Sequence, residues 1–162
     1  MSIQVGQALP VGTLYRRGES GLEEISTTAL FVQRTVVIFA VPGAFTPTCS
    51  DEHLPGFMVN ADALKAAGVD EIVCLAVNDP FVMRAWAEAH EVAAEDITFL
   101  SDGNGDWTQA LGMQRDMHKA AMGMRSKRYA MLVADGVLTW LGVDESGLVN
   151  SRAEAVLAVL NA

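Results

Sequence analysis

The chain has 162 residues, of which 51% are hydrophobic and 19% are charged, a balance that favours a folded globular protein over a disordered one. This length suits a single domain over residues 1–162, and no apolar run approaches the roughly 20 residues of a membrane span. The formal net charge of −9 argues against nucleic acid or an anionic membrane as the main partner.

The first half of the chain predicts a hairpin, a buried strand and a helix. Strands over Thr13–Arg17 and Leu22–Ser26 flank a turn-rich connection. Residues 34–41 predict a central, parallel strand that is buried on both faces, because residues 36–40 within this range are apolar without alternation. A helix over about 48–67 follows, and Pro55 with its neighbouring glycine predicts a kink or break in it.

The second half alternates strands and helices and ends with another hairpin. We expect strands at 71–77, Thr98–Ser101, 129–134 and 137–143, and helices at 80–91, 107–111 and 152–160. Asp135-Gly136 predicts the tight turn of the second hairpin. The acidic, glycine-containing segment 102–106 lacks the later ligands of a calcium loop, so we interpret it as a turn that leads into a helix. The order predicts an α/β fold with a mixed central sheet flanked by helices.

Cysteine usage and the N-terminal residues favour a reducing compartment. The two cysteines form no Cys-x-x-Cys pair, so neither a disulfide framework nor a zinc site is expected. Cys49 and His53 stand one helical turn apart, but two ligands do not make a metal site, and we expect no metal and no cofactor. Residues 1–6 contain neither a basic start nor an apolar stretch, so we predict a cytoplasmic protein without a secretory signal.

Residues 41–53 are the most informative segment, because they follow the buried strand and carry Cys49. They predict a strand, a rigid loop and a helix, with Cys49 in the first helical turn. There, unpaired backbone N–H groups and the helix dipole stabilise a negative charge such as a thiolate. Pro42 and Pro47 would stiffen the loop. Hydroxyl groups that can cap the helix or hold a small polar substrate stand at Thr46, Thr48 and Ser50.

The spacing of Pro42, Thr46 and Cys49 resembles the active-site signature of the peroxiredoxins. The continuation over 50–57 is similar to the peroxiredoxin-five subfamily. Three further segments stand in the order and spacing of that subfamily, so the resemblance covers nearly the whole chain: 5–10, 77–81 with Trp86 downstream, and 125–129. It implies a thioredoxin-like fold with an N-terminal β-hairpin. It also implies a thiol-dependent peroxidase that reduces hydrogen peroxide and organic hydroperoxides.

The resemblance also implies roles for individual residues. Cys49 would be the peroxidatic nucleophile, Thr46 and Arg128 would orient and polarise the peroxide, and Pro42 would shield the sulfur from water. The expected substrate-binding residues surround this group: Gly43, Phe45, Thr48, His53 and Met122. For His53 a second interpretation stays open, that of a partly buried histidine that hydrogen-bonds near the helix start.

Recycling of the oxidised cysteine is predicted to need another molecule. Some subfamily members use a second, resolving cysteine, but Asn150 stands where that cysteine would fall. Cys74 lies within a predicted central strand, so we interpret it as structural. The sequence thus resembles a one-cysteine form. An external thiol would reduce its sulfenic acid, with glutathione, glutaredoxin or thioredoxin as candidates, and the resemblance implies a homodimer.

Two other functions are compatible with a cysteine at a helix start. A cysteine hydrolase would use His53, His90 or His118 as the base beside an acylated Cys49. A redox-sensing or chaperone-like dimer would respond to oxidation of Cys49 without turnover. Hydrolysis of activated esters, or slow turnover with every reductant, would distinguish these alternatives from a peroxidase.

Overall fold

The computed structural model describes residues 2–162, and nine strands and five α-helices are found in that range. The strands are β1 (Thr13–Arg17), β2 (Leu22–Ser26), β3 (Thr35–Val41), β4 (Glu71–Ala76), β5 (Thr98–Ser101), β6 (Gln114–Asp116), β7 (Met124–Ser126), β8 (Arg128–Ala134) and β9 (Val137–Asp144). The helices are α1 (Thr27–Phe31), α2 (Leu54–Ala66), α3 (Pro80–Ala89), α4 (Asp106–Ala110) and α5 (Ala153–Leu160). A π-helical turn, Cys49–His53, precedes α2, and a short 3₁₀ helix covers His118–Ala120.

Seven of these strands form one mixed sheet in the order β2-β1-β5-β4-β3-β8-β9. The predicted parallel pairing holds between β3 and β4, but β8 joins the other side of β3 in the antiparallel direction. The second hairpin, β8 and β9, turns at Asp135 and Gly136, which both have positive φ as a type I′ turn requires. The sheet is therefore mixed, as predicted.

Helices cover both faces of the sheet, which explains the unbroken apolar sequence of β3. Val37, Phe39 and Val41 pack into one core with residues of α2, α3 and α5. Val36 and Ile38, one position out of phase, pack into the core on the opposite face with residues of α1 and α4. Because both sets are excluded from water, every position of the strand after Thr35 is apolar.

The helix predicted at 48–67 begins as expected but contains a π-helical turn. The backbone is helical from Pro47, and the N–H of Leu54 donates to the carbonyl of Cys49, five residues earlier. Pro55 has no N–H to continue the α-helical bonding pattern and stands in the first turn of α2, where this loss is tolerated. The predicted interruption therefore lies on the N-terminal side of Pro55, beside the cysteine.

Four short elements were not predicted: α1, β6, β7 and the 3₁₀ helix. Both strands of the β6/β7 hairpin have three residues and are largely polar, so they lack the apolar alternation that identifies longer strands. The acidic segment forms the expected turn, since the Asp102 carboxylate accepts from the backbone N–H groups of Trp107 and Thr108 at 3.3 and 2.7 Å. None of the helices within residues 2–162 is long and apolar enough to cross a membrane.

Candidate active site

Cys49 lies at the end of a tight loop that connects β3 to the following helix. The backbone N–H of Thr46 donates to the carbonyl of Gly43 at 3.4 Å, which closes a turn. Within it, Phe45 has a φ of 65°, a left-handed conformation that costs a non-glycine residue about 1–3 kcal/mol. The Cys49 side chain is completely buried in the first turn of the helix. The predicted strand, loop and helix around the cysteine are therefore present.

Hydrogen bonds hold this loop to its surroundings. The Thr46 hydroxyl donates to the Gly43 carbonyl at 2.7 Å, and the N–H of Ala44 donates to Asn78 Oδ1 at 2.9 Å. In the next turn, Trp86 Nε1 donates to the Ser50 hydroxyl at 3.0 Å. Asn78 and Trp86 belong to a segment that the family resemblance singled out without a role. The structure places them against the cysteine loop.

Arg128, the first residue of β8, contacts the cysteine sulfur. Its Nη2 donates to Cys49 Sγ at 3.2 Å, and its Nη1 donates to His53 Nδ1 at 3.0 Å. The residue is only 7% exposed, and none of the ion pairs among residues 2–162 includes it. Buried charges are normally paired, and the sulfur is a contact of this guanidinium that can become anionic. The pair is therefore suited to stabilising a thiolate.

His53 is buried behind Arg128, and both of its ring nitrogens are hydrogen-bonded. Its Nε2 lies 2.8 Å from the carbonyl oxygen of Ser151, which can only accept, so Nε2 carries the proton and Nδ1 is free to accept from Arg128. The pKa of His53 is lowered to about 4, chiefly by burial; the hydrogen bond to Ser151 opposes this change, and the neighbouring Arg128 guanidinium adds to the lowering. The imidazole is therefore neutral at pH 7.

Ser151, which supplies this carbonyl, is itself bound by the carboxylate of Asp144, the last residue of β9. Asp144 accepts from the Ser151 hydroxyl at 2.7 Å and from three successive backbone N–H groups at 2.9–3.1 Å, those of Val149, Asn150 and Ser151. Burial by itself would raise the pKa of Asp144, but these hydrogen bonds outweigh it and lower the pKa. Neither Asp144 nor Ser151 was predicted as a site residue, since nothing in their local sequence marks them.

The other predicted substrate-binding residues differ in burial and in their contacts. Gly43 faces the β6/β7 hairpin closely enough that an added Cβ would lie 2.8 Å from the methyl carbon of Met122. Gly43 and Met122 are thus brought together, with Pro42 buried beside them. Thr48 is half-buried and makes no capping hydrogen bond, and Phe45 is 55% exposed. Their contact with substrate stays a prediction.

Cys74 lies in β4, directly opposite Phe39 of β3, and its side chain is completely buried. Burial raises the pKa of the Cys74 thiol well above its usual value, and the nearby Cys49 sulfur adds to this effect. Both cysteines are free thiols. Because the thiolate is the reactive form, Cys74 is a poor nucleophile in this structure.

Comparison with known proteins identifies the family of this chain. A family model described as Redoxin matches residues 4–157. The chain is 46% identical over 164 residues to Peroxiredoxin-2E-2, chloroplastic, of Oryza sativa subsp. japonica, covering 98% of this chain and 73% of that protein. Reduced Prx3 in complex with H₂O₂ from Vibrio vulnificus has a TM-score of 0.93 at 48% identity, covering 98% of this chain and 99% of that one. Peroxiredoxin 5 from Alvinella pompejana has a TM-score of 0.85 at 33% identity, covering 98% of each chain.

These similarities extend over the whole fold as well as the cysteine loop. They confirm the predicted thioredoxin-like fold, with a mixed sheet flanked by helices, and the resemblance to subfamily five. The chain belongs to the redoxin family and is a peroxiredoxin, an oxidoreductase that reduces peroxides at the expense of thiols.

Proposed function

We propose that Cys49 is the peroxidatic nucleophile of this peroxiredoxin and that hydrogen peroxide and organic hydroperoxides are its substrates. The observation that carries the assignment is the 3.2 Å contact between the buried, otherwise unpaired Arg128 guanidinium and Cys49 Sγ at a helix start. The thiolate attacks one peroxide oxygen, the O–O bond breaks, and the sulfur is oxidised to sulfenic acid. The other oxygen takes up a proton and leaves as water or as an alcohol.

The surrounding groups are arranged to hold a peroxide rather than to activate the sulfur alone. The Thr46 hydroxyl donates its hydrogen bond to the Gly43 carbonyl, so its oxygen can accept a hydrogen bond from a peroxide O–H. Arg128 presents several donors in one plane, which suits the negative charge that develops on the leaving oxygen. Pro42, buried in the loop, keeps water from the sulfur.

Thr46→Val should therefore slow peroxide reduction by at least about tenfold, because it removes the acceptor while nearly preserving volume. Thr46→Ser retains the hydroxyl and should keep most of the rate. Second-order rate constants for hydrogen peroxide, measured for both variants by stopped flow, provide the check. A wild-type rate for Thr46→Val together with a loss in Thr46→Ser would show that the Thr46 methyl group, not the hydroxyl, matters.

We propose a one-cysteine cycle in which an external thiol regenerates Cys49. A first thiol displaces hydroxide from the sulfenic acid, which leaves as water after protonation, and forms a mixed disulfide. A second thiol then releases Cys49 as the thiol and leaves as a disulfide with the first. Because Cys49 is completely buried, its turn of helix must open before a thiol as large as glutathione or a glutaredoxin or thioredoxin cysteine reaches it. The buried Cys74, with its raised thiol pKa, is poorly suited to the same task.

After one equivalent of peroxide, the wild-type protein should hold Cys49 as sulfenic acid without a Cys49–Cys74 disulfide. Added glutathione should give a mixed disulfide at Cys49, and excess peroxide without thiol should give sulfinic acid. Intact-mass and peptide mass spectrometry under non-reducing conditions distinguish these species. Rapid, stoichiometric loss of both thiols as an internal link would instead make Cys74 the resolving residue.

The physiological reductant follows from a parallel assay. Peroxide consumption is measured separately with glutathione alone, with glutathione and glutaredoxin, and with thioredoxin and its reductase. Sustained turnover with any one of them supports the external-thiol cycle and identifies the class of reductant. A single turnover with all three would favour the redox-sensing or chaperone-like alternative.

The geometry argues against the hydrolase alternative. A base for Cys49 needs an available lone pair near the sulfur, but the Nδ1 lone pair of His53 accepts from Arg128 and its Nε2 donates to Ser151. His118 is instead paired with Asp116 on the exposed β6/β7 hairpin. A lack of ester hydrolysis by a protein that consumes peroxide would exclude this alternative.

A homodimer and a cytoplasmic location complete the proposal. Phe45 and Phe81 are 55% and 60% exposed, and Asn78, which bonds the Phe45 loop, lies three residues before Phe81. Two exposed phenylalanines beside one loop suit an interface between copies of the chain. Sedimentation at twice the 17.3 kDa chain mass would support the dimer, and a monomer at micromolar concentration would exclude it. Imaging of a tagged chain in its native cell tests the location.

A further inference from the structure

The guanidinium of Arg128 is held at two points, only one of which is the cysteine. Its Nη2 contacts Cys49 and its Nη1 donates to His53, at 3.2 and 3.0 Å. Because the two nitrogens belong to one rigid plane, the bond to His53 fixes the direction in which Nη2 points. The position of the donor at the sulfur therefore depends on the histidine.

The histidine presents a lone pair to Arg128 only in one tautomer. The carbonyl of Ser151 selects that tautomer, because it takes the proton of Nε2 at 2.8 Å. In the other tautomer, or in the protonated ring, an N–H would face the N–H groups of the guanidinium. The Ser151 carbonyl thus determines whether His53 can hold Arg128.

Ser151, which carries this carbonyl, is in turn held by Asp144, whose carboxylate accepts from the Ser151 N–H and hydroxyl. Asp144 lies directly opposite Arg128 in the β8/β9 register, so the same pair of strands carries both ends of this arrangement. All its members are nearly inaccessible to water, with exposures of 4% or less: Asp144, Ser151 and His53. We call these three residues the support chain.

We propose that the support chain positions the Arg128 guanidinium against the Cys49 sulfur and that His53 and Asp144 are positioning residues for peroxide reduction. The inference rests on the proposed roles of Arg128 and Cys49. It replaces direct substrate contact by His53, whose side chain is 1% exposed and has both nitrogens occupied. Two charged groups influence the pKa of His53: Arg128 lowers it and Asp144 raises it.

The test is a double-mutant cycle on the second-order rate constant for hydrogen peroxide. His53→Phe keeps an aromatic ring against Phe39 and Phe57, whose ring centroids lie 5.1 and 5.6 Å from that of His53, but removes both nitrogens. It should slow the reaction at least about tenfold in the wild-type background. In the Arg128→Met background the same change should cost less than about twofold, because a positioning residue acts only through the group it positions.

Two further variants sharpen the assignment. His53→Asn places an amide oxygen near the position of Nδ1, restores an acceptor for Arg128, and should recover the rate to within about threefold of wild type. Asp144→Asn weakens the hold on Ser151 and should slow the reaction about threefold, again only when Arg128 is present. His118→Phe is the control, since the His118 side chain is 70% exposed and bonds only to Asp116, and its rate should be unchanged.

The outcomes separate this inference from the proposed function. A wild-type rate for His53→Phe, or the same loss with and without Arg128, would overturn the positioning role. A near-normal rate for Arg128→Met would instead overturn the proposed role of Arg128. If circular dichroism shows that His53→Phe does not fold, the double-mutant cycle with Asp144→Asn decides. A rate loss that depends on Arg128 confirms the positioning role of the support chain, and an equal loss with and without Arg128 contradicts it.

Discussion

Cys49→Ser is expected to reduce peroxide consumption to the uncatalysed background, whereas Cys74→Ser retains at least roughly half of the wild-type rate. Cys49 alone stands at a helix start in contact with a guanidinium, and a serine hydroxyl there is a far weaker nucleophile than a thiolate. Cys74 is buried in β4 with a thiol pKa well above its usual value, so it contributes little thiolate. Initial rates with hydrogen peroxide and a saturating thiol reductant provide the measurement.

The two serine variants also differ in stability, which serves as a control. A serine hydroxyl at position 74 would be buried in the sheet without a side chain placed to hydrogen-bond it. Cys74→Ser should therefore lower the free energy of unfolding by about 1–3 kcal/mol. Rates are therefore compared under conditions in which both variants are fully folded, with Cys74→Ala as a second, apolar replacement. Near-equal losses of activity at the two positions would contradict the assignment of the nucleophile.

The fold could be predicted from the sequence where burial is regular. The strand at β3 is buried on both faces and reads as an unbroken apolar run, and the hairpin turn at Asp135-Gly136 has the residues that its backbone requires. Elements whose sequence has no regular spacing of apolar residues were not predicted. The β6/β7 hairpin has three residues in each strand and carries Met122 in its loop, yet it forms the wall that faces Gly43.

The site was predictable only where a local motif marks it. Pro42, Thr46 and Cys49 form one short segment, and Arg128 stands in a second segment with its own sequence signature. The hydrogen-bonded arrangement behind Arg128 joins residues that are distant in sequence: His53 accepts from an arginine 75 positions away and donates to a carbonyl 98 positions away. Such contacts depend on strand register and loop closure, which leave no mark in the local sequence.

Arg128 has to supply more than the charge that ionises the thiol. An ordinary thiol, with a pKa near 8.5, is about 3% ionised at pH 7, so complete ionisation gains at most roughly thirtyfold. Enzymes commonly accelerate reactions by 10⁶-fold or more, so the larger contribution must come from donors that are fixed around the transition state. The guanidinium, buried and directed at Sγ, is the strongest donor that the structure places there.

Arg128→Met is accordingly expected to slow peroxide reduction by about 10²–10³-fold, the usual cost of losing one fixed donor to a developing anion. The loss should persist at high pH, where the thiol is ionised with or without the arginine. Arg128→Lys keeps the charge but not the planar guanidinium, so it cannot contact His53 and Cys49 together. Its rate should fall between that of the wild type and that of Arg128→Met. A pH titration of the second-order rate constants separates ionisation from transition-state stabilisation.

Arg34→Met provides the matched control. Arg34 is a partly buried arginine, paired with Glu71 at 2.6 Å, but it precedes β3, whereas the cysteine loop follows the other end of that strand. Losing it should lower stability and leave the peroxide rate constant unchanged. If the high-pH rate of Arg128→Met instead equals that of the wild type, Arg128 acts only on ionisation of the thiol. The donors that polarise the peroxide must then be the backbone N–H groups at the helix start.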